Sequence, residues 1–227
     1  MTKIHVIGIG YKPFDERTKE IISKSEIILA SHRLFDVFIR YEEFGIVKDK
    51  VMVIDNVNET ISYMKSAIST RQPVMISLLA SGDPMFFGIG RRIINEFGKE
   101  RVEILPDLSS IQIAFSRIKE PWDDALLISL HGGPEPTKRR KLTYKLKDIP
   151  LLLKKYKKIA ILTDKENNPS EIAKVLHSSL FTRHLRLTMY VCERLGYPDE
   201  KIIEANPGDS ATMSFADPNV VIIIQKS

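Results

Sequence analysis

The sequence predicts an α/β protein of two lobes, on three observations. Strand-like and helix-like runs alternate from the N-terminus to about residue 130, the rhythm of a mostly parallel sheet covered by helices. One run, residues 74–80, is almost continuously apolar, as a strand buried on both faces requires. The rhythm then breaks at His131-Gly132-Gly133-Pro134-Glu135-Pro136, a turn-rich stretch that sets the expected lobes at 1–132 and 133–227.

Residues 3–9 read as the first strand and 15–24 as a helix that buries Ile21 and Ile22. A strand at 26–30, a helix at 34–40 and a strand at 51–54 follow, then a helix at 59–68 with Ile61, Met64 and Ile68 at helical spacing. After strand 74–80, Pro84 is expected to open a helix that runs through Gly88 and Gly90 to Phe97. Strand 102–105, helix 109–118 and strand 125–130 complete the first lobe. In the second, 159–163 is a strand, and Asn168-Pro169-Ser170-Glu171 opens a helix with Asn as N-cap, Pro at the first helical position and Glu in the first turn. Residues 187–193, 201–205 and 219–225 read as strands with short connections, so this lobe is expected to hold a mixed sheet.

A chain of 227 residues can bury a substantial core. With 43% hydrophobic and 28% charged residues, disordered and collagen-like classes drop out. The longest apolar runs, such as 220–224, are far too short to span a bilayer, so no membrane partner is expected. The first strand lacks the length and cleavage site of a signal peptide. A single cysteine, Cys192, excludes an intramolecular disulfide and a cysteine-based zinc site. A cytoplasmic location is the expectation.

Charge is unevenly spread. Residues 138–158 hold ten Lys or Arg and one Asp, a local +9 in a chain of net +5, so the remainder sums to −4. This is a mildly acidic body with one basic segment, not a surface coated for nucleic acid. Most of the segment reads as a solvated helix and linker. Tyr144 and Tyr156 are its only aromatics, which gives little platform for stacking on bases, and nucleic acid is not expected as a partner.

Four loops at strand ends carry the candidate chemistry. Gly8-Ile9-Gly10 follows the first strand, but the third glycine of a dinucleotide fingerprint falls at Pro13, so that motif fails and the loop alone reads as a tight turn. Leu78-Leu79-Ala80-Ser81-Gly82-Asp83-Pro84 says more, because a buried strand ends in small residues where parallel sheets place their ligands. N-capping would account for Asp83, though not for the small residues before it. Pro106-Asp107-Leu108-Ser109-Ser110 carries a serine pair where one capping serine would suffice, and Ser129-Leu130-His131-Gly132-Gly133 ends the series. His5, His32, His177 and His184 show no metal-ligand spacing with His131, and no metal is expected. All four strand ends would line one edge of one sheet.

At these loops the sequence resembles the tetrapyrrole (corrin/porphyrin) methylase family. The matching stretches are Val6-Ile7-Gly8-Ile9-Gly10, Leu79-Ala80-Ser81-Gly82-Asp83-Pro84, Phe87-Gly88-Ile89-Gly90-Arg91-Arg92 and Ser109-Ser110. Pro121-Trp122-Asp123-Asp124-Ala125, Ser129-Leu130-His131-Gly132, Thr163-Asp164 with Asn168-Pro169, and Cys192-Glu193-Arg194-Leu195-Gly196-Tyr197-Pro198 extend the match over nearly the whole chain. The Pro-Trp-Asp-Asp and Ser-Leu-His-Gly segments resemble the branch that methylates a corrinoid precursor at C5. Two places depart from the family pattern. Gly8-Ile9-Gly10-Tyr11-Lys12-Pro13 stands where Gly-x-Gly-Pro-Gly is usual, and Pro106-Asp107 stands where Pro-Gly is usual. Thr18, at the start of the following helix, matches.

The resemblance implies a two-lobed tetrapyrrole methylase fold, distinct from the Rossmann-like methyltransferases, with S-adenosyl-L-methionine folded into the cleft between the lobes. It implies that Ser81, Gly82, Asp83 and Phe86 line the donor pocket, with Gly10 and Tyr11 of the first loop beside them. Ser109 and Ser110 would lie against the donor's other side, and His131 would close it. No catalytic residue is assigned, because displacement from a sulfonium onto an electron-rich bridge carbon asks for alignment more than for a base. The implied substrate is a corrinoid, cobalt-precorrin-7 or precorrin-6Y, in cobalamin biosynthesis, whose carboxylates the basic segment would attract. A homodimer is implied as well. The family pairs C5 with C15 methylation and decarboxylation, and the chain ends at Ser227, so a separate C15-methylating, decarboxylating enzyme is expected as a partner. Two alternatives stand beside this reading. One is a same-fold methyltransferase acting on a macromolecule (diphthine synthase or an rRNA methyltransferase), the other a non-catalytic donor-binding module.

Overall fold

Ile4, Val6, Ile7 and Ile9 are all buried, which places the first strand inside a sheet and not at its edge. The computed structural model of the chain, which describes residues 2–69, 72–132 and 142–226, shows how. Strands β1 (Lys3–Ile9), β2 (Ile27–Ala30), β3 (Val51–Val53), β4 (Met75–Ser81) and β5 (Val102–Leu105) form one sheet in the order β3-β2-β4-β1-β5. Every pairing in it is parallel. Helices α1 (Glu16–Lys24), α2 (His32–Phe38), α3 (Phe44–Val47), α4 (Val57–Ser69) and α5 (Gly90–Phe97) supply the crossovers that parallel pairing needs. Ile4, Val6, Ile76 and Leu78 on the sheet pack with Ile61 and Met64 of α4 and Ile93 of α5. The Asp15 carboxylate caps α1 by accepting from the Thr18 N–H at 2.8 Å.

One helix differs from expectation. The segment from Pro84 to Ile89 is a series of turns, and α5 begins only at Gly90. The Gly90 N–H reaches the Pro84 carbonyl at 2.8 Å, six residues back, and Phe87 holds a φ of 53°. A Cβ at Gly88 would lie 2.5 Å from the Pro84 oxygen. Proline at the start and apolar residues at helical spacing are the same signals for a helix and for this wide turn, so the sequence pattern alone does not separate them.

The chain divides into two compact units, Met1–Ser109 and Ser110–Ser227. The division thus lies earlier than the turn-rich stretch at 131–136, whose last residues, with the first of the basic segment, lie outside the described residues (133–141). Helix α6 (Ser110–Ile118) and strand β6 (Leu126–Ser129) belong to the second unit, where β6 pairs in parallel with β7 (Lys158–Leu162). A β-α-β period is the same whichever sheet its last strand joins, and so the rhythm ran past the division.

The second unit continues with α7 (Ile149–Lys155), α8 (Pro169–Ser178), β8 (Leu187–Glu193), β9 (Lys201–Ala205), α9 (Pro207–Ser210) and β10 (Asn219–Gln225). Its sheet runs β6-β7-β10-β8-β9. β6 and β7 are parallel and the other pairings antiparallel, the expected mixed sheet. Its core joins Ile128, Ile161, Met189 and Val221 to Leu153 of α7 and Ile172 of α8. The Asn168 side chain accepts from the Glu171 N–H at 3.0 Å, with Pro169 in the first turn.

The basic segment is not solvated throughout, since Ile149 and Leu153 of α7 are buried. Lys158 is buried too. Its ammonium donates to the Pro121 carbonyl at 2.7 Å and pairs with Asp124 at 2.9 Å and Glu120 at 3.6 Å. A buried ammonium persists only with such partners, so Lys158 anchors the Pro-Trp-Asp-Asp segment to β7. Among the described residues no helix is long and apolar enough to cross a membrane.

Candidate functional site

Parallel strands end together, so the β4-β1-β5 order brings three of the four loops to one sheet edge. There the loops meet backbone to backbone. The Gly82 N–H donates to the Ile9 carbonyl at 3.0 Å, and the Asp107 N–H donates to the Gly82 carbonyl at 3.2 Å. This closeness is what the glycines provide. A Cβ at Gly8 would lie 1.9 Å from the Gly82 oxygen and 2.5 Å from the Asp107 nitrogen, and one at Gly82, where φ is +57°, would lie 2.6 Å from the Leu108 oxygen.

Gly10 is different. Its φ of +132° also calls for glycine, yet beyond its two chain neighbours no atom lies within 4 Å of where its Cβ would stand. The neighbouring loops need Gly8 and Gly82 bare for their own packing, whereas the space beside Gly10 is left open. Its N–H donates to the Tyr41 hydroxyl at 2.9 Å. Burial pushes the Tyr41 phenol up against the lowering effect of that N–H, so the hydroxyl stays protonated.

The Asp107 carboxylate, 9% exposed, reaches back across the edge. Oδ2 accepts from the Tyr11 N–H at 2.7 Å and the Lys12 N–H at 3.3 Å, while Oδ1 accepts from Leu108 N–H at 2.7 Å. Three N–H donors compensate a carboxylate for leaving water. The two departures from the family pattern, at 11–13 and at 107, therefore meet in one set of hydrogen bonds. The sequence marks Asp107 only as a departure from the family pattern, with no role attached, and nothing local marks Tyr41.

The other expected residues take distinct positions. Ser81 ends β4 and is exposed, and Asp83 is half-buried. The Asp83 Oδ1 accepts from the Met85 N–H at 2.8 Å, which closes a local turn and does not cap α5. Phe86 is half-buried and meets Phe87 edge to face at 4.8 Å. Ser109 is buried, and Ser110 opens α6. Gly10, Tyr11, Ser81, Gly82, Asp83 and Ser109 thus follow three adjacent strands of the first unit, β1, β4 and β5.

His131 belongs to the second unit, exposed beyond the end of β6, with its N–H on the Ser129 hydroxyl at 3.3 Å. The next N–H, of Gly132, donates to the Asp164 carboxylate at 2.9 Å. The same carboxylate accepts from Asn167 N–H at 2.7 Å and Glu166 N–H at 3.0 Å, and the Asn167 side chain donates to the Leu130 carbonyl at 2.9 Å. Beside it the Thr163 hydroxyl meets the Asn219 carbonyl at 2.7 Å. The Thr163-Asp164 motif therefore fixes the strand end that carries His131.

Cys192, in β8, is buried, and burial pushes its thiol up to about 12, so it stays protonated and unreactive. Among the described residues no group of three or more His, Cys, Asp or Glu side chains is placed to hold a metal ion.

Loops gathered at the carboxyl edge of a parallel sheet, with open space beside one glycine, stand where α/β proteins commonly take their ligands. The comparisons make the class specific. The family model for tetrapyrrole (corrin/porphyrin) methylases matches residues 3–210, and the chain belongs to that family of methyltransferases. It is 29% identical over 207 residues to a probable cobalt-precorrin-7 C(5)-methyltransferase of Methanocaldococcus jannaschii, covering 88% of this chain and 87% of that one. Among solved structures, the precorrin-6Y methylase of Archaeoglobus fulgidus superposes with a TM-score of 0.64 at 22% identity, covering 100% of this chain and 99% of the other. The uroporphyrin-III C-methyltransferase of Thermus thermophilus, complexed with S-adenosyl homocysteine, gives 0.66 at 15% identity, with 97% and 91% covered. These likenesses establish the shared fold.

Proposed function

We propose that this methyltransferase uses S-adenosylmethionine to methylate a corrinoid precursor at C5. The name of the Methanocaldococcus jannaschii relative supports the substrate and position, and the S-adenosylhomocysteine complex of the Thermus thermophilus neighbour supports the donor. The observation that carries the reading is Gly10, whose Cβ position is open while the loops around it are packed backbone to backbone. A donor's adenosyl or amino-acid part can approach main chain there that any other residue would cover.

In this reading Gly10, Tyr11, Ser81, Gly82, Asp83, Phe86 and Ser109 of the first unit bind the donor. When bound, S-adenosylmethionine supplies a methyl group on a sulfonium that departs as a neutral thioether. The chain's task is then alignment, which can contribute about 7–11 kcal/mol when two reactants are held in line. The half-buried Asp83 carboxylate and the backbone of the Gly10 turn orient the donor, while the exposed Lys145, Lys147, Lys154 and Lys155 draw in a polycarboxylate substrate. Incubation with donor and cobalt-precorrin-7 or precorrin-6Y, followed by mass and NMR analysis, tests the proposal. A product heavier by one methyl at C5 supports it, and donor binding without transfer to either corrinoid overturns the substrate assignment.

A further inference from the structure

Three consecutive N–H groups of the first loop are held by side chains from elsewhere in the first unit. Gly10 N–H goes to Tyr41, between α2 and α3, and the Tyr11 and Lys12 N–H groups go to Asp107, beyond β5. A residue that served only its own turn would need one oxygen, the Oδ1 that accepts from Leu108 N–H. The other oxygen spans 96 residues of sequence to the first loop. Asp107 also ties in the second loop through its main chain, by the N–H bond to the Gly82 carbonyl. One residue thus joins all three loops of the edge. The Gly10 Cβ position stays free beside these bonds.

We propose that Asp107 is a positioning residue for the donor: its carboxylate, bonded to the Tyr11 and Lys12 N–H groups, holds the first loop in the form that leaves the Gly10 main chain open to the donor. The proposal rests on the reading that the donor binds at this edge. In the unfixed loop, residues 11 and 12 would exchange those bonds for water, and donor binding would have to restore the ordered form, which lowers apparent affinity.

The test pairs two variants with two measurements on the full chain. Asp107→Ala removes both oxygens, and Asp107→Asn keeps one acceptor of the same shape. In the free protein, amide exchange at Tyr11 and Lys12 rises about tenfold or more in Asp107→Ala, while amides of β1 keep their protection. The calorimetric Kd for S-adenosylhomocysteine rises about tenfold in Asp107→Ala and about threefold in Asp107→Asn, as the ordered form of the loop becomes less populated before binding. In turnover the loss appears in the donor KM, with kcat at saturating donor little changed. Unchanged exchange at Tyr11 and Lys12 would overturn the proposal. So would faster exchange with donor-product affinity kept. A wild-type chain that binds no S-adenosylhomocysteine would sink the donor reading itself, and the exchange contrast, read without ligand, would still report whether Asp107 holds the loop. A drop in thermal stability large enough to unfold Asp107→Ala leaves Asp107→Asn to decide by the same two readings.

Discussion

At the carboxyl edge of the first sheet, main chain meets main chain, with Gly82 N–H on Ile9 and Asp107 N–H on Gly82. At the edge of the second sheet that carries His131, side chains make the connections, with Asp164 gathering three N–H groups and Asn167 and Thr163 reaching neighbouring carbonyls. The first arrangement fails when a Cβ is added, the second when an oxygen is removed. A sheet edge packed through bare main chain keeps side chains out of the way, which suits a surface that must admit a ligand. An edge tied by carboxylate and amide holds one strand end, and the histidine beyond it, in a fixed place. Asp107 brings the second style into the first edge.

The contrast can be broken most decisively at Gly8. Gly8→Ala forces a Cβ against two main-chain atoms and is expected to destabilise by about 3 kcal/mol or to prevent folding. Urea unfolding at wild-type stability would show that the loops do not pack as described. Asp164→Ala leaves N–H groups of residues 132, 166 and 167 without their acceptor, with an expected loss of about 2 kcal/mol by the same measurement. A loss well above that for Gly8→Ala would reverse the comparison. Gly10→Ala meets no steric neighbour, and the strained φ alone sets its cost near about 1–2 kcal/mol. Its affinity for S-adenosylhomocysteine is expected to fall far more than its stability, and a proportionate change in both would remove Gly10 from the site. Asp83→Ala is expected to weaken the same affinity with little change in melting temperature.

The smallest effect belongs to His5 in β1. Burial lowers its pKa below the usual histidine value, and the Glu103 charge only partly offsets this. The folded protein therefore holds His5 neutral while the unfolded chain takes up a proton. Stability is full above about pH 6.5 and declines as pH falls from there towards the lower folded value. His5→Leu should flatten that decline between about pH 6.5 and 5, and an unchanged slope in urea melts would place the proton elsewhere.

Much of this was legible from the residues. The parallel first sheet followed from the apolar 74–80 run and the strand-helix alternation, and the Asn168 cap from four consecutive residues. Of the four loops expected on one edge, three meet there because parallel strands share an edge, and the fourth, at His131, follows a strand of the other sheet. What escaped was set by partners distant in sequence. Strand β6 reads as one more repeat until β7 claims it. Lys158 counts among ten basic residues until Pro121, Asp124 and Glu120 surround it. Tyr41 carries no local signature of the hydrogen bond it accepts from Gly10. Asp107 stood out as a departure from pattern, and its reason lay in Tyr11 and Lys12.

The claim that the donor occupies the carboxyl edge of the first sheet is tested most directly by titrating S-adenosylhomocysteine into isotope-labelled protein and following the amide resonances. The account predicts that the largest shifts fall at Gly10, Tyr11, Ser81, Asp83 and Ser109, saturating together with one dissociation constant. Shifts confined to other residues, with those five unmoved at saturation, would contradict it.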